Sequence, residues 1–285
     1  MYDMEIPRCE LCGSKNEVVI YDKNEIAKKR KLLGVVLYNQ DKSIIHGRNV
    51  VCVNCGLSYI TPRMTEKRLD HFYKIDYRKA YPSHGDTKNI HSVNAIQYLK
   101  NNNVTGSLID IGCSDGSLPR KYRELTGEYV EGVEKTHNEY DFKVSSDIEL
   151  VTEKFDIATI LNTLEHIHSP RSFIKKVRKI LKPNGKILIT VPNLYNNFLN
   201  IHLDGFFSNA HIYNFSIKTI VELVTISGFE VIAADLVNES IGSKIYLLAK
   251  HSENINNSIS KFGEEAVKHL LARIEATKVL QCITK

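Results

Sequence analysis

The second half of the chain alternates between short apolar runs and longer segments with helical spacing. Apolar runs of strand length occupy residues 107–111, 129–133, 155–161, 186–191, 229–235 and 244–250. Apolar positions that recur every three or four residues predict helices near 116–126, 170–181 and 217–227. Strands that alternate with helices are typical of a parallel sheet covered on both faces, so an α/β fold is expected.

The ends of these elements carry capping and turn signals. Ser169 before Pro170 predicts an N-cap followed by the first residue of a helix, and KPNG predicts the turn after that helix. Ser216 and Gly228 predict the start and the end of the next helix. The last strand, KIYLLAK, follows the preceding one too closely for a helical crossover, which predicts an antiparallel hairpin.

The N-terminal part contains two C-x-x-C-G motifs, CELCG and CVNCG. Two such turns brought together present four thiolates in the tetrahedral arrangement that zinc prefers, and each glycine supplies a positive φ. The predicted ligands are Cys9, Cys12, Cys52 and Cys55. Because protein fills all four positions, a structural zinc is expected, with a rubredoxin-like iron site or buried thiols as the alternatives. Between the pairs, VVLY and NVVCV are the expected strands.

A tyrosine-rich helical segment follows the second cysteine pair. Thr65 is the expected N-cap of a first helix, and a second helix is predicted near residues 87–101. Tyr77, Tyr81 and His84 are interpreted as packing or linker residues, with the rim of a substrate pocket as the alternative. The predicted organisation is a zinc-ribbon-like module at 1–63, a helical linker at 64–105, a main domain at 106–250 and a helical tail at 251–285. The tail is expected to pack on the domain or to form a homodimer contact.

Composition and charge are those of an ordinary globular protein. The chain has 285 residues, 42% of them hydrophobic, and a formal net charge of +5, which is enough apolar material for a large core. The first residues, MYDMEIPRCE, lack the apolar run of a secretion signal, and no window reaches the apolar length of a membrane span. A cytoplasmic location is therefore expected. The basic run Lys28–Lys31 is interpreted as solvated surface, with nucleic-acid contact as the alternative.

The stretch SLIDIGCSDGSL, residues 107–118, is a strand that ends in a glycine turn. With the acid Glu134 after the next strand it forms the general pattern of an adenosine-binding unit, in which a carboxylate accepts the ribose hydroxyls. Ser114 and Ser117 replace the second and third glycines of the dinucleotide fingerprint, which weakens a pyrophosphate site. Asp110 at the end of the strand suits the sulfonium and amino group of S-adenosylmethionine better.

The ordered motifs of residues 106–250 resemble those of the class I S-adenosylmethionine-dependent methyltransferases, in particular the branch that includes the ubiquinone-type O-methyltransferases. They are IDIGCSDGSL, VEGVE, FDIATILNTLEHIHSP, LKPNGKILITVPN and GFEV. The resemblance implies a Rossmann-like, mostly parallel seven-stranded sheet with an antiparallel C-terminal hairpin strand, beside the small four-cysteine module.

The N-terminal segments CxxCG, TPRMT and HFYKIDY further resemble the zinc-ribbon methyltransferases that are linked to bacterial sugar and surface-polysaccharide synthesis. The chain ends without the additional C-terminal domain of the sugar C-methyltransferases. O-methylation of a small-molecule or glycan acceptor is therefore expected over carbon methylation.

The resemblance also implies which residues hold the cofactor. The methionine end is expected at Asp110, Gly112, Ser114 and Gly116, the ribose at Glu134, the adenine amino group at Asp147, and the methionine or the transferring methyl at Asn162 and Thr163. Ser114 stands where the family has its middle glycine, which is expected to shift the loop without abolishing binding. A plain helix or turn cap is the alternative for Asp147.

A base is needed if the acceptor is a neutral hydroxyl, because its proton has to leave during methyl transfer. The segment NTLEHIH lies where the carboxyl edge of an open sheet faces its ligand crevice. His166 is the predicted base, Glu165 is expected to orient it or to act itself, and His211 is a second candidate. The alternative is that Glu165 and His166 only shape the loop. His168 is expected at the surface.

Two further features bear on the acceptor side. The aromatic segment before His211 is predicted to form a substrate lid, with Tyr195, Phe198, Phe206 and Phe207. The small-RNA 2′-O-methyltransferases gather a metal from two glutamates and two histidines around a similar turn. Asn162 stands in place of the first glutamate and argues against that metal site here, since a neutral amide holds a hard cation less well.

Three functions are consistent with these motifs. The first is an enzyme that transfers a methyl group from S-adenosylmethionine to a hydroxyl of a sugar or sugar-derived metabolite. The second is an RNA methyltransferase in which the metal module and the basic run bind the nucleic acid. The third is a non-catalytic scaffold that binds the cofactor.

Overall fold

The computed structural model describes residues 3–22, 47–73, 85–136, 138–196, 203–207, 211–239, 242–253 and 258–283. Several predictions fall outside these ranges: the basic run Lys28–Lys31, the VVLY strand, Tyr77, Tyr81, His84 and Phe198.

Two small antiparallel sheets form the N-terminal module. Its strands are β1 (Met4–Glu5), β2 (Glu17–Tyr21), β3 (Arg48–Cys52), β4 (Ser58–Thr61) and β5 (Arg63–Met64). β3 lies between β2 and β4, and β1 pairs with β5, so the strand predicted from NVVCV is confirmed. A further strand, β11 (Tyr213–Asn214), comes from much later in the chain and adds to the edge of β4.

Two helices lead from this module to the main sheet. α1 (Glu66–His71) begins after Thr65, whose side chain accepts a hydrogen bond from the backbone amide of Arg68, as predicted. α2 (Gly85–Asn101) contains the predicted 87–101 segment. Its residues Ala95 and Leu99 are buried against one face of the main sheet.

Seven strands form the main sheet. They are β6 (Leu108–Ile111), β7 (Val130–Val133), β8 (Lys143–Ser145), β9 (Phe155–Leu161), β10 (Leu181–Pro192), β12 (Phe229–Glu239) and β13 (Gly242–His251). Their order is β12-β13-β10-β9-β6-β7-β8, and every strand except β13 runs parallel to the others. The Rossmann-like fold class and the antiparallel hairpin are confirmed. The predicted KPNG turn is wrong, because that segment is an irregularity within β10.

Five further helices are present in the described residues, and all except the short α5 were predicted. They are α3 (Ser117–Thr126), α4 (Pro170–Lys179), α5 (Leu203–Phe206), α6 (Ile217–Thr225) and α7 (Gly263–Ile283). The Ser216 side chain caps α6 by accepting from the backbone amide of Thr219, and Gly228 follows with a φ of 96°. Ser169 occupies the predicted N-cap position of α4, before Pro170, but its side chain forms no capping hydrogen bond. Pro170 at the start of the helix has no N–H to donate.

The C-terminal helix α7 packs on the N-terminal module. Leu270 and Ile274 are buried in a cluster with Ile20, Tyr21 and Val51. The tail therefore finds its main partner within the chain, and the homodimer contact stays a prediction. None of the described helices combines the length and the apolar character that crossing a bilayer requires.

Candidate functional site

The four cysteines of the two C-x-x-C-G motifs lie together. Their sulfur atoms are all within 4.8 Å of one another, with 3.5 Å between Cys9 Sγ and Cys55 Sγ and between Cys12 Sγ and Cys52 Sγ. A tetrahedral site with metal–sulfur bonds of about 2.3 Å has sulfurs about 3.8 Å apart. The glycine after each pair has the predicted positive φ, 75° and 80°. The sulfur geometry therefore fits a four-thiolate metal site.

The thiols also compete for charge. Hydrogen bonds from Cys55 and Cys9 lower the pKa of Cys52, and the hydrogen bond to Cys52 raises the pKa of Cys55. A single thiolate stabilised by its neighbours thus suppresses ionisation of the others. Four thiolates at this distance require a cation.

The predicted glycine turn follows β6 at the carboxyl edge of the sheet. Gly112, Ser114 and Gly116 adopt left-handed conformations with φ of 79°, 52° and 78°. A Cβ on Gly112 would lie 2.5 Å from Thr163 Oγ1, so the turn and the loop after β9 are in close contact. Gly116 immediately precedes α3. The structure therefore brings the turn next to Thr163, as expected for a shared ligand crevice.

Glu134 joins this turn to the end of the neighbouring strand. One carboxylate oxygen accepts from the backbone amide of Ser114 at 2.9 Å, and the other accepts from the amide and hydroxyl of Thr136 at 3.0 and 2.9 Å. A carboxylate offers about four acceptor positions, of which these contacts use three. A ribose held by both hydroxyls would therefore have to replace the Thr136 hydroxyl.

Asp110 is the buried acid of the turn. Its side chain accepts a hydrogen bond from Thr159 Oγ1 at 2.7 Å. Burial raises the pKa of Asp110 to about 7, the hydrogen bond from Thr159 opposes the rise, and the nearby charges of Glu134 and Asp115 reinforce it. A cation placed at this turn would relieve that penalty, which fits the sulfonium and ammonium groups of S-adenosylmethionine.

The other predicted cofactor residues lie at neighbouring strand ends. Asn162 has a left-handed φ of 47°, and its backbone amide donates a hydrogen bond to the carbonyl of Thr190. Asp147 follows β8 and accepts from the backbone amide of Glu149 at 2.9 Å, capping a short 3₁₀ turn. The capping alternative for Asp147 thus describes its visible contact. Its role toward adenine stays a prediction.

The three predicted catalytic side chains meet beside this turn. Glu165, His166 and His211 present ligand atoms within 4.8 Å of one another, and the two imidazole rings have centroids 4.9 Å apart. Burial raises the pKa of the Glu165 carboxyl against the opposing charges of His166 and Lys244. Glu165 Oε2 is buried with no hydrogen-bond partner in the part of the chain that the structure describes. Residues far apart in sequence thus form one cluster.

A hydrogen-bond partner of His166 is Tyr73, which was not among the predicted site residues. The Tyr73 hydroxyl lies 2.8 Å from His166 Nδ1, and the two rings meet edge to face. Glu165 Oε1 lies 3.9 Å from His166 Nε2, beyond hydrogen-bond distance, so Glu165 does not orient the ring in this state. The HFYKIDY motif was the available signal for Tyr73.

Two expectations on the acceptor side are corrected. His168 is half-buried and its Nε2 lies 2.8 Å from Glu5 Oε1, so its predicted surface position is wrong. Phe206 and Phe207 are buried, and Phe207 stacks on Tyr21, so these two rings are packing residues. Phe206 and Phe207 therefore do not support the predicted lid.

Comparison with known proteins identifies the family. A family model described as a methyltransferase domain matches residues 83–234. The ubiquinone biosynthesis O-methyltransferase of Histophilus somni is 28% identical in an alignment of 153 residues that covers 45% of this chain and 63% of that relative. The corresponding enzyme of Glaesserella parasuis is 29% identical over 135 residues, 38% of this chain and 57% of its own length. The chain thus spans less than two thirds of these relatives.

A solved structure shows the same fold. The 1,6-didemethyltoxoflavin-N1-methyltransferase of Burkholderia thailandensis, with bound S-adenosylhomocysteine, superposes with a TM-score of 0.52 at 14% identity. The superposition covers 76% of this chain and 99% of that one. The glycine turn, the sheet order and the family match all indicate a methyltransferase domain. The chain belongs to the methyltransferase-domain family.

Proposed function

We propose that this enzyme methylates a hydroxyl oxygen of a sugar or sugar-derived metabolite. The observation that carries the proposal is the cluster of Glu165, His166 and His211 beside Thr163, which itself contacts the glycine turn at Gly112. A neutral hydroxyl is a poor nucleophile, and two imidazoles at this position supply the proton acceptor that it needs. The amide of Asn162 and the Tyr73 hydroxyl add hydrogen-bonding groups suited to a polyhydroxylated acceptor.

S-adenosylmethionine supplies an electrophilic methyl group on a sulfonium leaving group. The acceptor oxygen attacks the methyl carbon, and the new C–O bond forms as the C–S bond breaks. The bonding pair of that C–S bond stays on sulfur, and the acceptor proton passes to His166 Nε2. The proposed step uses the tautomer in which His166 Nδ1–H donates to the Tyr73 oxygen, 2.8 Å away, because Nε2 is then free of hydrogen and can accept the proton.

The residues proposed to hold the cofactor are those of the turn and its neighbours. Asp110 faces the positive methionine end, Glu134 the ribose and Asp147 the adenine. Gly112, Ser114 and Gly116 shape the turn, and Asn162 and Thr163 adjoin the methyl group. The four clustered cysteines are proposed to hold a structural zinc ion, because all four ligand positions are filled by protein.

A second acceptor class follows from the relatives. The similar proteins are named ubiquinone biosynthesis O-methyltransferases, so an acceptor of that pathway is the alternative. The matched regions cover less than half of this chain. The sugar acceptor is favoured by the N-terminal module, which resembles that of the sugar and polysaccharide methyltransferases.

The test is methyl transfer from radiolabelled S-adenosylmethionine to a panel of nucleotide sugars, ubiquinone precursors and RNA. His166→Ala is expected to lower kcat about 10²- to 10⁴-fold, with cofactor affinity in calorimetry unchanged. His269→Ala, an exposed histidine on α7, is the matched control and is expected to leave both unchanged.

Three results would overturn parts of this proposal. Label only in RNA or in a ubiquinone precursor would replace the sugar acceptor. An unaltered kcat in His166→Ala would remove the base. A strict requirement for an added divalent cation, with the cysteine-bound metal still present, would assign the cluster to a metal in place of a proton acceptor.

A further inference from the structure

The two segments that carry the histidines of the cluster are both attached to the N-terminal module. His211 lies two residues before the start of β11, which pairs with β4 through Tyr213 opposite Tyr59. The backbone amide of Ile60 in β4 also donates to the carbonyl of Ile212 at 3.0 Å. The segment with His211 is therefore an edge strand of the metal module's own sheet.

Arg63 in β5 ties this strand to the segment with His166. One guanidinium nitrogen donates to the Tyr213 hydroxyl at 2.5 Å and to the carbonyl of His168 at 3.1 Å. The Tyr213 hydroxyl donates to the same carbonyl at 3.1 Å, which closes a three-membered network. His168 follows His166 by two residues, and Tyr213 follows His211 by two. One side chain thus holds both histidine segments at fixed separation.

The surroundings of Arg63 leave it little freedom. Its side chain is 6% exposed, and its Nε donates to Glu5 Oε1 at 2.7 Å. Glu5 in turn bonds His168 Nε2, so the carboxylate buttresses both the arginine and the loop. The guanidinium also lies over the Tyr213 ring at 5.7 Å. A buried arginine held through Nε, one terminal nitrogen and its planar face has little conformational freedom, which suits it to fixing the distance between its partners.

We propose that Arg63 is a positioning residue for methyl transfer and that the metal module serves the reaction by fixing His166 relative to His211. The proposal rests on the proposed function, in which those imidazoles accept the acceptor proton. Tyr73, which follows α1 on the same side of the molecule, adds the hydrogen bond to His166. The second C-x-x-C-G motif is part of the sheet that makes these contacts, since Cys52 ends β3 and Cys55 comes shortly before β4.

The first test compares three variants of the full-length, metal-loaded enzyme. Arg63→Met is expected to lower kcat about 10- to 100-fold, because small displacements of catalytic groups cost that much, while cofactor Kd and acceptor KM stay unchanged. Arg63→Lys keeps the charge and one donor and is expected to recover part of the loss. Arg48→Met, an exposed arginine of the same module, is the control.

A double-mutant cycle separates positioning from general stability. In a His211→Ala background the effect of Arg63→Met on kcat is expected to shrink, because one of the two groups that it positions is gone. Equal losses in both backgrounds would overturn the proposal. So would a kcat loss that only follows the folded fraction measured by circular dichroism. If Arg63→Met does not fold, Tyr213→Phe removes the bridging hydroxyl, keeps the ring, and is expected to lower kcat less.

A readout without any acceptor keeps this proposal distinct from the proposed function. Ring-nitrogen NMR signals of His166 and His211, assigned with the two alanine variants, are expected to shift in Arg63→Met but not in Arg48→Met. Shifted signals in an enzyme that fails to methylate any hydroxyl would contradict the proposed function and support the positioning role. Unshifted signals would contradict the positioning role whatever the activity.

Discussion

The buried carboxyl of Asp110 makes a quantitative prediction about stability. Its pKa rises from the ordinary 3.8 to about 7 because burial disfavours the charged form. Between these values the unfolded chain has lost a proton that the folded chain retains, so stability falls as pH rises through this window. At about 1.4 kcal/mol for each pKa unit, the loss reaches about 4 kcal/mol at pH 8 and about 2 kcal/mol at pH 5.

Asp110→Asn removes this penalty while its amide oxygen still accepts from Thr159. The variant is expected to have a larger free energy of unfolding than wild type at pH 8, measured by urea denaturation. At pH 5 the gain in this free energy should be about half as large. Circular dichroism is the suitable probe, since the chain contains no tryptophan. Glu153→Gln, an exposed acid, is the control and should change little at either pH.

The same Asp110→Asn substitution is expected to lower cofactor affinity although it raises stability. The same variant loses the negative charge that is proposed to face the methionine end, so S-adenosylmethionine should bind more weakly and protect it less against unfolding. A variant that is less stable than wild type at pH 8 would refute the burial argument. So would a gain that is equal at both pH values.

Three other predictions concern the glycines and the metal. Gly112→Ala should bind the cofactor more weakly in calorimetry, because its Cβ would lie 2.5 Å from Thr163 Oγ1. Gly127 has a similar φ of 71° but open space around its Cβ position, so Gly127→Ala is the control and should only lower the melting temperature. Gly263→Ala should lower the melting temperature and release α7 to limited proteolysis, because its Cβ would lie 2.0 Å from the Val53 carbonyl oxygen. Removing the proposed zinc ion from the four cysteines with a metal chelator, checked by elemental analysis, should reproduce that proteolysis. A tail that stays intact would contradict the expected link between the metal site and α7.

Local pattern predicted the main sheet well. Six of the seven strands in that sheet coincide with a predicted apolar run, and the exception is the three-residue strand β8. The short connection before β13 was enough to predict its antiparallel direction. The glycine turn was recognisable because Gly112 and Gly116 need left-handed backbone conformations that few other residues adopt. These features depend on residues close together in the chain.

Contacts between distant segments were beyond local pattern. Arg63 and Tyr213 are separated by 150 positions, and Tyr73 and His166 by 93, with no periodicity that links them. β11 contains two residues, too few to show the alternation of apolar and polar positions that predicts a strand. It nevertheless joins the N-terminal module to the segment with His211. His168 was expected at the surface, and its partner Glu5 could not be predicted because it lies 163 positions away in the chain.

The identity of the methylated atom is the property that tests the proposed function most directly. Purified enzyme would be incubated with S-adenosylmethionine carrying a ¹³C-methyl group and with the nucleotide sugar that accepts label, and the product examined by carbon–proton correlation NMR. We expect the labelled methyl on oxygen, correlated to a sugar ring carbon, and greatly reduced in His166→Ala. Label on nitrogen or carbon, or equal product from His166→Ala, would contradict base-assisted O-methylation.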